Sequence, residues 1–426
     1  MASARDKKAP LCPAQGGSLT LWVILITYGS FYFCRTNISA AIPGIEEEFA
    51  LSKTQIGFIL GSLKIAYGIG QFVNGQLAER ISPRKLLTIG MLMSALLNVV
   101  FGFGTGLYFL IFVWACNGYF QALGWTPCMR VAANWFPPET RGRSIGIIGT
   151  GYQATAALTF IVSGFAADYF GWRGAFFVPA GILMLSCIHM LFFLKETPAA
   201  VAGPNDGETP SEELPKVAQP SFRETIRITV NNPALWILAI ALALLNACRY
   251  GFLDWGLPFM VETTGESISK SALKYAILPV GGVLGSYLAG WTTDRYFGGR
   301  RAPLICMLML LLGGLTLMFS SVVQIGLGPA LIMLACTGFT IYGPQVLLVG
   351  TAAIDLAKSG APAAAVGLVN FMGYMGAFAG DQVTGMLVDN YDWSAALGFW
   401  AGCAILGAAV VSLLWNRGPE TPEEAK

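Results

Sequence analysis

Charge is scarce in this sequence. Only 12% of its 426 residues are Asp, Glu, Lys or Arg, where soluble domains carry about a quarter, so a water-facing surface cannot be built from this inventory. A string of soluble domains and an intrinsically disordered chain are both excluded. The formal net charge is +2 and the basic residues are scattered, which leaves no case for nucleic-acid binding. Histidine is nearly missing, with His189 the only one. No His/Cys cluster has metal-ligand spacing and no His–Ser–Asp set looks catalytic, so no metal, no cofactor and no enzyme activity is expected. The phosphate-cradling pattern GxxxxGK followed by Ser or Thr does not occur, so there is no nucleotide-binding loop. The nine cysteines are odd in number, eight of them in or at the ends of apolar stretches and Cys12 in the leading tail. They read as small packing residues and not as a disulfide framework.

What the chain has in excess is apolar length. Hydrophobic residues make up 55%, with 51 glycines and 11 tryptophans, and the mean hydropathy is +0.61. That fits packed membrane helices with interfacial aromatic anchors. A helix needs about 20 mostly apolar residues to cross the hydrocarbon. Twelve stretches qualify: 19–43, 55–78, 86–105, 107–129, 144–167, 172–194, 234–260, 271–293, 302–322, 327–351, 363–387 and 394–416. They must be helices, because lipid leaves no partner for an unpaired backbone group. The first stretch follows Arg5, Lys7 and Lys8 as a signal peptide would, but it carries Arg35 and has no small-residue cleavage signal, so it is expected to be retained.

Orientation follows from Lys and Arg. With the N-terminus inside, the inner segments hold 19 of the 26, and the outer loops hold four, Lys53, Arg173, Lys270 and Lys274. Both termini are therefore expected in the cytoplasm. The fold class is an all-α membrane protein whose twelve transmembrane helices form two pseudo-symmetric six-helix bundles. The expected boundaries are 1–194, a proline-rich cytoplasmic linker 195–232, and 233–426. Ser221 with Glu224 makes a capping-box pattern that predicts a short surface helix around 222–229.

The halves resemble each other. Gly75-x3-Glu79-Arg80 followed by Arg84-Lys85 recurs as Gly290-x3-Asp294-Arg295 followed by Arg300-Arg301, 215 residues later. Arg35 in span one matches Arg249 in span seven at an offset of 214. The agreement points to an internal duplication.

Arg35, Lys64 and Arg249 lie within spans, and each costs about 2.5–3.5 kcal/mol to insert. On a wheel of about 100° per residue, Tyr28, Tyr32 and Arg35 share one stripe of span one. Lys64, Tyr67 and Gln71 share one in span two, Asn246 and Arg249 in span seven, and Asn370, Tyr374 and Asp381 in span eleven. Two readings stand. The cations are neutralised by Asp254 and Asp381 as buried ion pairs, or they line a water-filled cavity and meet an anionic ligand. Asp254 lies about 140° around the helix from Arg249, a poor placement for a pair, and three cations against two acids leave the cavity positive. Paired guanidinium groups suit a phosphate or phosphonate, whose oxygens accept forked N–H donors.

At these residues the chain resembles the organophosphate:inorganic-phosphate antiporters of the major facilitator superfamily, the branch of the glycerol-3-phosphate and hexose-phosphate carriers. The resemblance rests on Tyr32-Phe33-Cys34-Arg35 with Asn37, Ile65-Ala66-Tyr67-Gly68, Gly124-Trp125-Thr126-Pro127-Cys128, Arg141-Gly142, Arg249-Tyr250-Gly251-Phe252-Leu253-Asp254-Trp255 and Tyr342-Gly343-Pro344. It implies the major facilitator fold, with Arg35 and Arg249 clamping the phosphoryl group from the two halves. It also implies that Tyr28, Tyr32, Tyr67, Tyr342 and Tyr374 line the cavity, and that the loops carrying Glu79, Arg80, Arg84, Asp294, Arg295 and Arg300 latch the halves on the cytoplasmic side. The chain departs from the glycerol-3-phosphate carrier's pattern at Thr36, Gln71, Tyr152 and Asn246, and Asp381 adds a negative charge where the resemblance to the hexose-phosphate carrier implies a lysine. Lys64 lies two turns from Gln71 on the same face and can replace the missing lysine. Asp381, with Asn246 and Asn370, either reads a polar or cationic group on the ligand, such as an amine, or pairs with Lys64.

The expected mechanism is alternating-access exchange of an organophosphate or phosphonate for inorganic phosphate, in a monomer embedded in the bilayer of a bacterial inner membrane. An empty cavity with adjacent positive charges resists closure, which couples the two fluxes. The alternatives are a membrane sensor of a phosphorylated sugar and a proton-coupled symporter of organic anions that uses Asp381 or Asp254.

Overall fold

The computed structural model describes residues 17–198, 227–357 and 362–417, and the regular structure among those residues is entirely helical. Twelve rods run back and forth. In the first half they are α1 Gly17–Phe49, α2 Lys53–Arg80, α3 Pro83–Gly102, α4 Leu107–Trp135, α5 Pro138–Phe170 and α6 Gly174–Phe193. In the second they are α7 Pro233–Thr264, α8 Ile268–Tyr296, α9 Ala302–Val323, α10 Leu327–Asp355, α11 Pro362–Asn390 and α12 Trp393–Ser412. Each holds one expected span to within a few residues. Several run longer, because polar first and last turns carry the helix beyond the apolar stretch. Of the surface helix expected at 222–229, residues 222–226 lie outside the described residues, and 227–230 are helical.

Among the described residues, ten of the twelve rods are long and apolar enough to span by length and composition alone. α2 and α11 carry the most polar side chains, Lys64, Gln71 and Asn74 in one and Asn370, Asp381 and Gln382 in the other. Their polarity is tolerated because protein covers it. α2 lies against α4 and α11, and α11 lies against α7 and α2. Lys64 meets Asp381 across the two helices, and Asn74 donates to the Tyr119 carbonyl of α4 at 3.2 Å, so side chains that would be prohibitive against lipid find partners in protein.

Local signals start and stop the rods. A reciprocal capping box, Ser52 with Gln55, opens α2. Asp392 opens α12 by accepting the Ala395 N–H at 3.0 Å. That bond and the Ser394 hydroxyl hold its carboxyl below the usual range. Gly265 ends α7 in the left-handed conformation at φ 66°.

Two rods are broken where it matters. In α1 the helix tightens into a 3-10 turn at Phe31–Cys34, leaves helical geometry at 35–37 and resumes at Ile38. In α7 a wide π turn occupies Gly251–Trp255. Pro258, four residues after Asp254, has no N–H to offer the Asp254 carbonyl. Ser39 from the first half supplies the missing donor, its hydroxyl 2.9 Å from that oxygen. Arg35 and Arg249 each sit at the edge of a break, at matching places in the two halves.

The halves meet most closely on the side away from the Lys/Arg-rich loops. At the outer ends of α2 and α11 the Lys53 and Thr54 N–H groups donate to Asp389 at 2.9 and 2.8 Å. The Gln382 amide donates to the Gly57 carbonyl at 2.7 Å. A side chain at Gly57 would begin 2.7 Å from the Asp381 carbonyl, so only glycine permits this approach. The Ser269 N–H of α8 donates to Asp168 of α5 at 2.9 Å. On this face the two halves close against each other.

Candidate binding site

Arg35 and Arg249 face a common layer of aromatic rings near mid-depth. The Arg35 guanidinium lies 4.1 Å from the centre of the Tyr67 ring and 5.0 Å from that of Tyr32. Arg249 lies 4.7 Å from Tyr250 and 5.1 Å from Tyr342. A path of rings joins them: Tyr67 to Tyr374 at 4.8 Å, then Tyr374 to Tyr250 at 6.5 Å. On the first half's wall, Tyr32 stacks on Tyr152 at 4.9 Å. Tyr28 meets both edge-on at 6.0 Å and leans on Trp125 at 4.9 Å.

The electrostatics of the layer are unbalanced. Arg35 and Arg249 are only 8% and 4% exposed, and among the described residues neither has a carboxylate within 4 Å. Arg35 offers Nη1 to the Tyr32 hydroxyl at 3.4 Å, and the Nε of both arginines is buried without a partner. A cation over a ring recovers about 0.5–2 kcal/mol, while burying an ion costs several. The rings do not offset that cost. Two desolvated guanidiniums with idle donors have the chemistry to accept an anion.

The remaining intramembrane charges gather on the outer side of this layer and touch it, the Lys64 ammonium lying 5.0 Å from the centre of the Tyr250 ring that Arg249 also faces. Lys64 of α2 lies between two carboxylates of the second half, Asp254 of α7 and Asp381 of α11, the latter at 2.8 Å. Its third bond goes to the Leu60 carbonyl at 3.1 Å. All three side chains are nearly or wholly buried. Asp254 follows Arg249 by five residues, about 7 Å along a helix, which puts the triad outside the arginine layer. Of the two readings of the charges, ion pairing holds for Lys64 alone.

Asp381 is thereby engaged by Lys64. Asn370 lies 11 residues along the same helix, about 16 Å away, so the two do not converge on one group. Asn246 stands beside Gly373 with its carbonyl oxygen buried and unpaired. Asn370, Tyr374 and Gln71 are half-buried.

The loop motifs tie each half to itself. Arg84 donates to the Leu191 carbonyl, and its backbone N–H donates to Glu196 at 3.2 Å. In the second half it is Arg301 that pairs with Asp294 and, at 3.2 Å, with Asp355. Arg80, Asp294, Arg295 and Arg300 are exposed, Arg300 bonding the Phe297 carbonyl, and the Glu79 side chain lies outside the described set. Among the described residues, these loop charges make no bond between the halves in this conformation. The latch is on the opposite face, where the ends of α2 and α11 close.

Trp125 and Tyr250 stood inside the sequence motifs but were given no role as cavity rings. Neutralisation of the cations by Asp254 and Asp381 was one of the two expected readings, but helical phase could not say which cation Asp254 would meet.

Residues 24–380 match the family model of the Major Facilitator Superfamily. Over 415 residues the chain is 32% identical to the glycerol-3-phosphate transporter of Bacillus subtilis (strain 168), covering 93% of this chain and 91% of the relative. It is 29% identical over 418 residues to the membrane sensor protein UhpC of Escherichia coli (strain K12), covering 96% and 93%. A probable hexose phosphate transport protein of Chlamydia pneumoniae is 30% identical over 420 residues, covering 93% and 91%. Among solved structures, a bacterial homolog of the human lysosomal transporter Spinster, inward-facing and unoccupied, superposes with a TM-score of 0.73 at 17% identity. It covers 94% of this chain and 96% of that one, a likeness of fold.

Proposed function

We propose that this chain, which belongs to the major facilitator superfamily in the branch of glycerol-3-phosphate and hexose-phosphate carriers, exchanges an organophosphate or phosphonate for inorganic phosphate by alternating access. The observation that carries the reading is the pair of buried guanidiniums, one from each half, with unpaired Nε donors and no carboxylate within 4 Å among the described residues. A phosphoryl group supplies the charge and the acceptor oxygens that both lack. Forked donation from two planar guanidiniums suits a tetrahedral dianion better than a single carboxylate.

In the mechanism, residues 1–194 and 233–426 act as two units that rock about the site, joined by the linker 195–232, within one monomer. Phosphate or organophosphate entering from the cytoplasm neutralises the arginines and permits the inner ends to close. The Lys64–Asp254–Asp381 group and the Asp389 contacts then part as the outer face opens. An unloaded site keeps two adjacent positive charges in a closing space, and that barrier couples inward to outward flux without a nucleotide. Tyr28, Tyr32, Tyr67, Tyr152, Tyr342 and Tyr374 wall the organic part of the substrate. The test is counterflow of labelled phosphate in liposomes against a panel of phosphate esters and phosphonates. Trapping of label that depends on internal phosphate supports exchange.

The identity to a membrane sensor protein, nearly as high as that to the carriers, favours one second reading, a receptor for a phosphorylated sugar. Ligand binding in the same liposomes without any flux would select it. Flux driven by a pH gradient, with no internal phosphate, would instead select the proton-coupled symporter.

A further inference from the structure

The break in α1 leaves backbone oxygens without their helical partners in the middle of a membrane. The Arg35 N–H turns to the Tyr32 carbonyl at 3.1 Å, so the Phe31 carbonyl loses the donor an α-helix would give it, and Cys34 is left facing the open segment 35–37. Each unsatisfied group at that depth costs several kcal/mol.

Three buried amides fill the gap. The Cys34 carbonyl accepts from Asn117 at 2.9 Å, Gln121 at 3.3 Å and Asn98 at 3.4 Å. One Gln121 N–H is shared between that oxygen and the Phe31 carbonyl, 3.0 Å away. The amides are themselves fixed: the Ser94 hydroxyl donates to the Asn117 oxygen at 2.6 Å and accepts from Gln121 at 2.7 Å. Beyond the break, Asn37 donates to the Asn98 side chain and to the Ala175 carbonyl, both at 2.9 Å. Asn98, Asn117 and Gln121 are at most 1% exposed, and none bonds the Arg35 side chain. They grip the peptide on which it is mounted.

We propose that Asn98, Asn117 and Gln121 are positioning residues for substrate binding: a polar clasp that holds α1 open at 31–37 and so aims the Arg35 guanidinium at the ligand. The inference rests on the reading of Arg35 as a ligand for the anion. Among the described residues the second half shows no such cluster of amides. Beside its break the Tyr275 hydroxyl donates to the Phe252 carbonyl, and Arg249 stays on a helical turn. Arg35 is the pre-set arm of the pair.

The experiment is phosphate-ester counterflow with Asn117→Leu and Gln121→Met, each built on wild type and on Arg35→Lys, in liposomes containing matched amounts of folded transporter. Either substitution is expected to raise KM about tenfold while leaving the maximal rate within about twofold, and to add no further rise on Arg35→Lys. A folded variant with unchanged KM overturns the clasp, as does an equal rise on the Arg35→Lys background. Should Asn117→Leu fail to insert, Gln121→Met, which keeps Asn117 on the Cys34 carbonyl, decides the matter. If Arg35→Lys by itself leaves KM untouched, the reading of Arg35 as ligand is what has failed.

Discussion

Lys64 on α2 reaches 2.8 Å from Asp381 on α11, an ion pair that joins the halves inside the membrane with Asp254 as its second acceptor. Breaking a buried pair by removing one partner typically costs about 3–5 kcal/mol, because the other charge is stranded. Lys64→Met strands two carboxylates and is expected to lower the melting temperature of the purified protein sharply. Adding Asp254→Asn and Asp381→Asn together should restore most of it. A single variant as stable as wild type would show that the group contributes nothing to closure.

The same pairing bears on substrate choice. A carboxylate already engaged by a lysine is poorly placed to recruit an amine from the ligand. Asp381→Asn is expected to slow transport without changing the preference between amino-bearing and amino-free phosphate compounds, measured by competition for uptake. Selective loss of the amino-bearing ones would instead assign Asp381 to the substrate.

Tyr67 holds Arg35 by its ring, at 4.1 Å. Tyr67→Phe keeps the ring face and should leave KM for the phosphate ester within about twofold, whereas Tyr67→Leu removes it and should raise KM about three- to thirtyfold, the range of a desolvated cation–π contact. Equal effects of both substitutions would move the function to the hydroxyl.

Much of this was legible in advance. Span count, orientation and duplication follow from apolar length and from where Lys and Arg fall, because the bilayer punishes any other arrangement. The stripe of Tyr28, Tyr32 and Arg35 was legible for the same reason: a cation among apolar residues must face protein. The break at 31–37 was not, since Tyr32-Phe33-Cys34-Arg35 contains no proline or glycine. What opens the helix is donated from α3 and α4, and only in retrospect do Asn98, Asn117 and Gln121 stand out as amides in otherwise apolar spans. Lys64 was recognised as costly, and Asp254 and Asp381 were named as candidate partners, but that both meet Lys64 and neither meets an arginine follows only from how the helices pack.

The central claim is that one guanidinium from each half holds the same phosphoryl group. Labelled-phosphate counterflow in liposomes with Arg35→Lys and Arg249→Lys, at matched protein and confirmed folding, tests it most directly. Lysine keeps the charge and loses the planar fork, so each variant is expected to lose about a hundredfold in rate at low phosphate, with the double variant little worse than either. Undiminished trapping of label in either single variant would contradict the clamp.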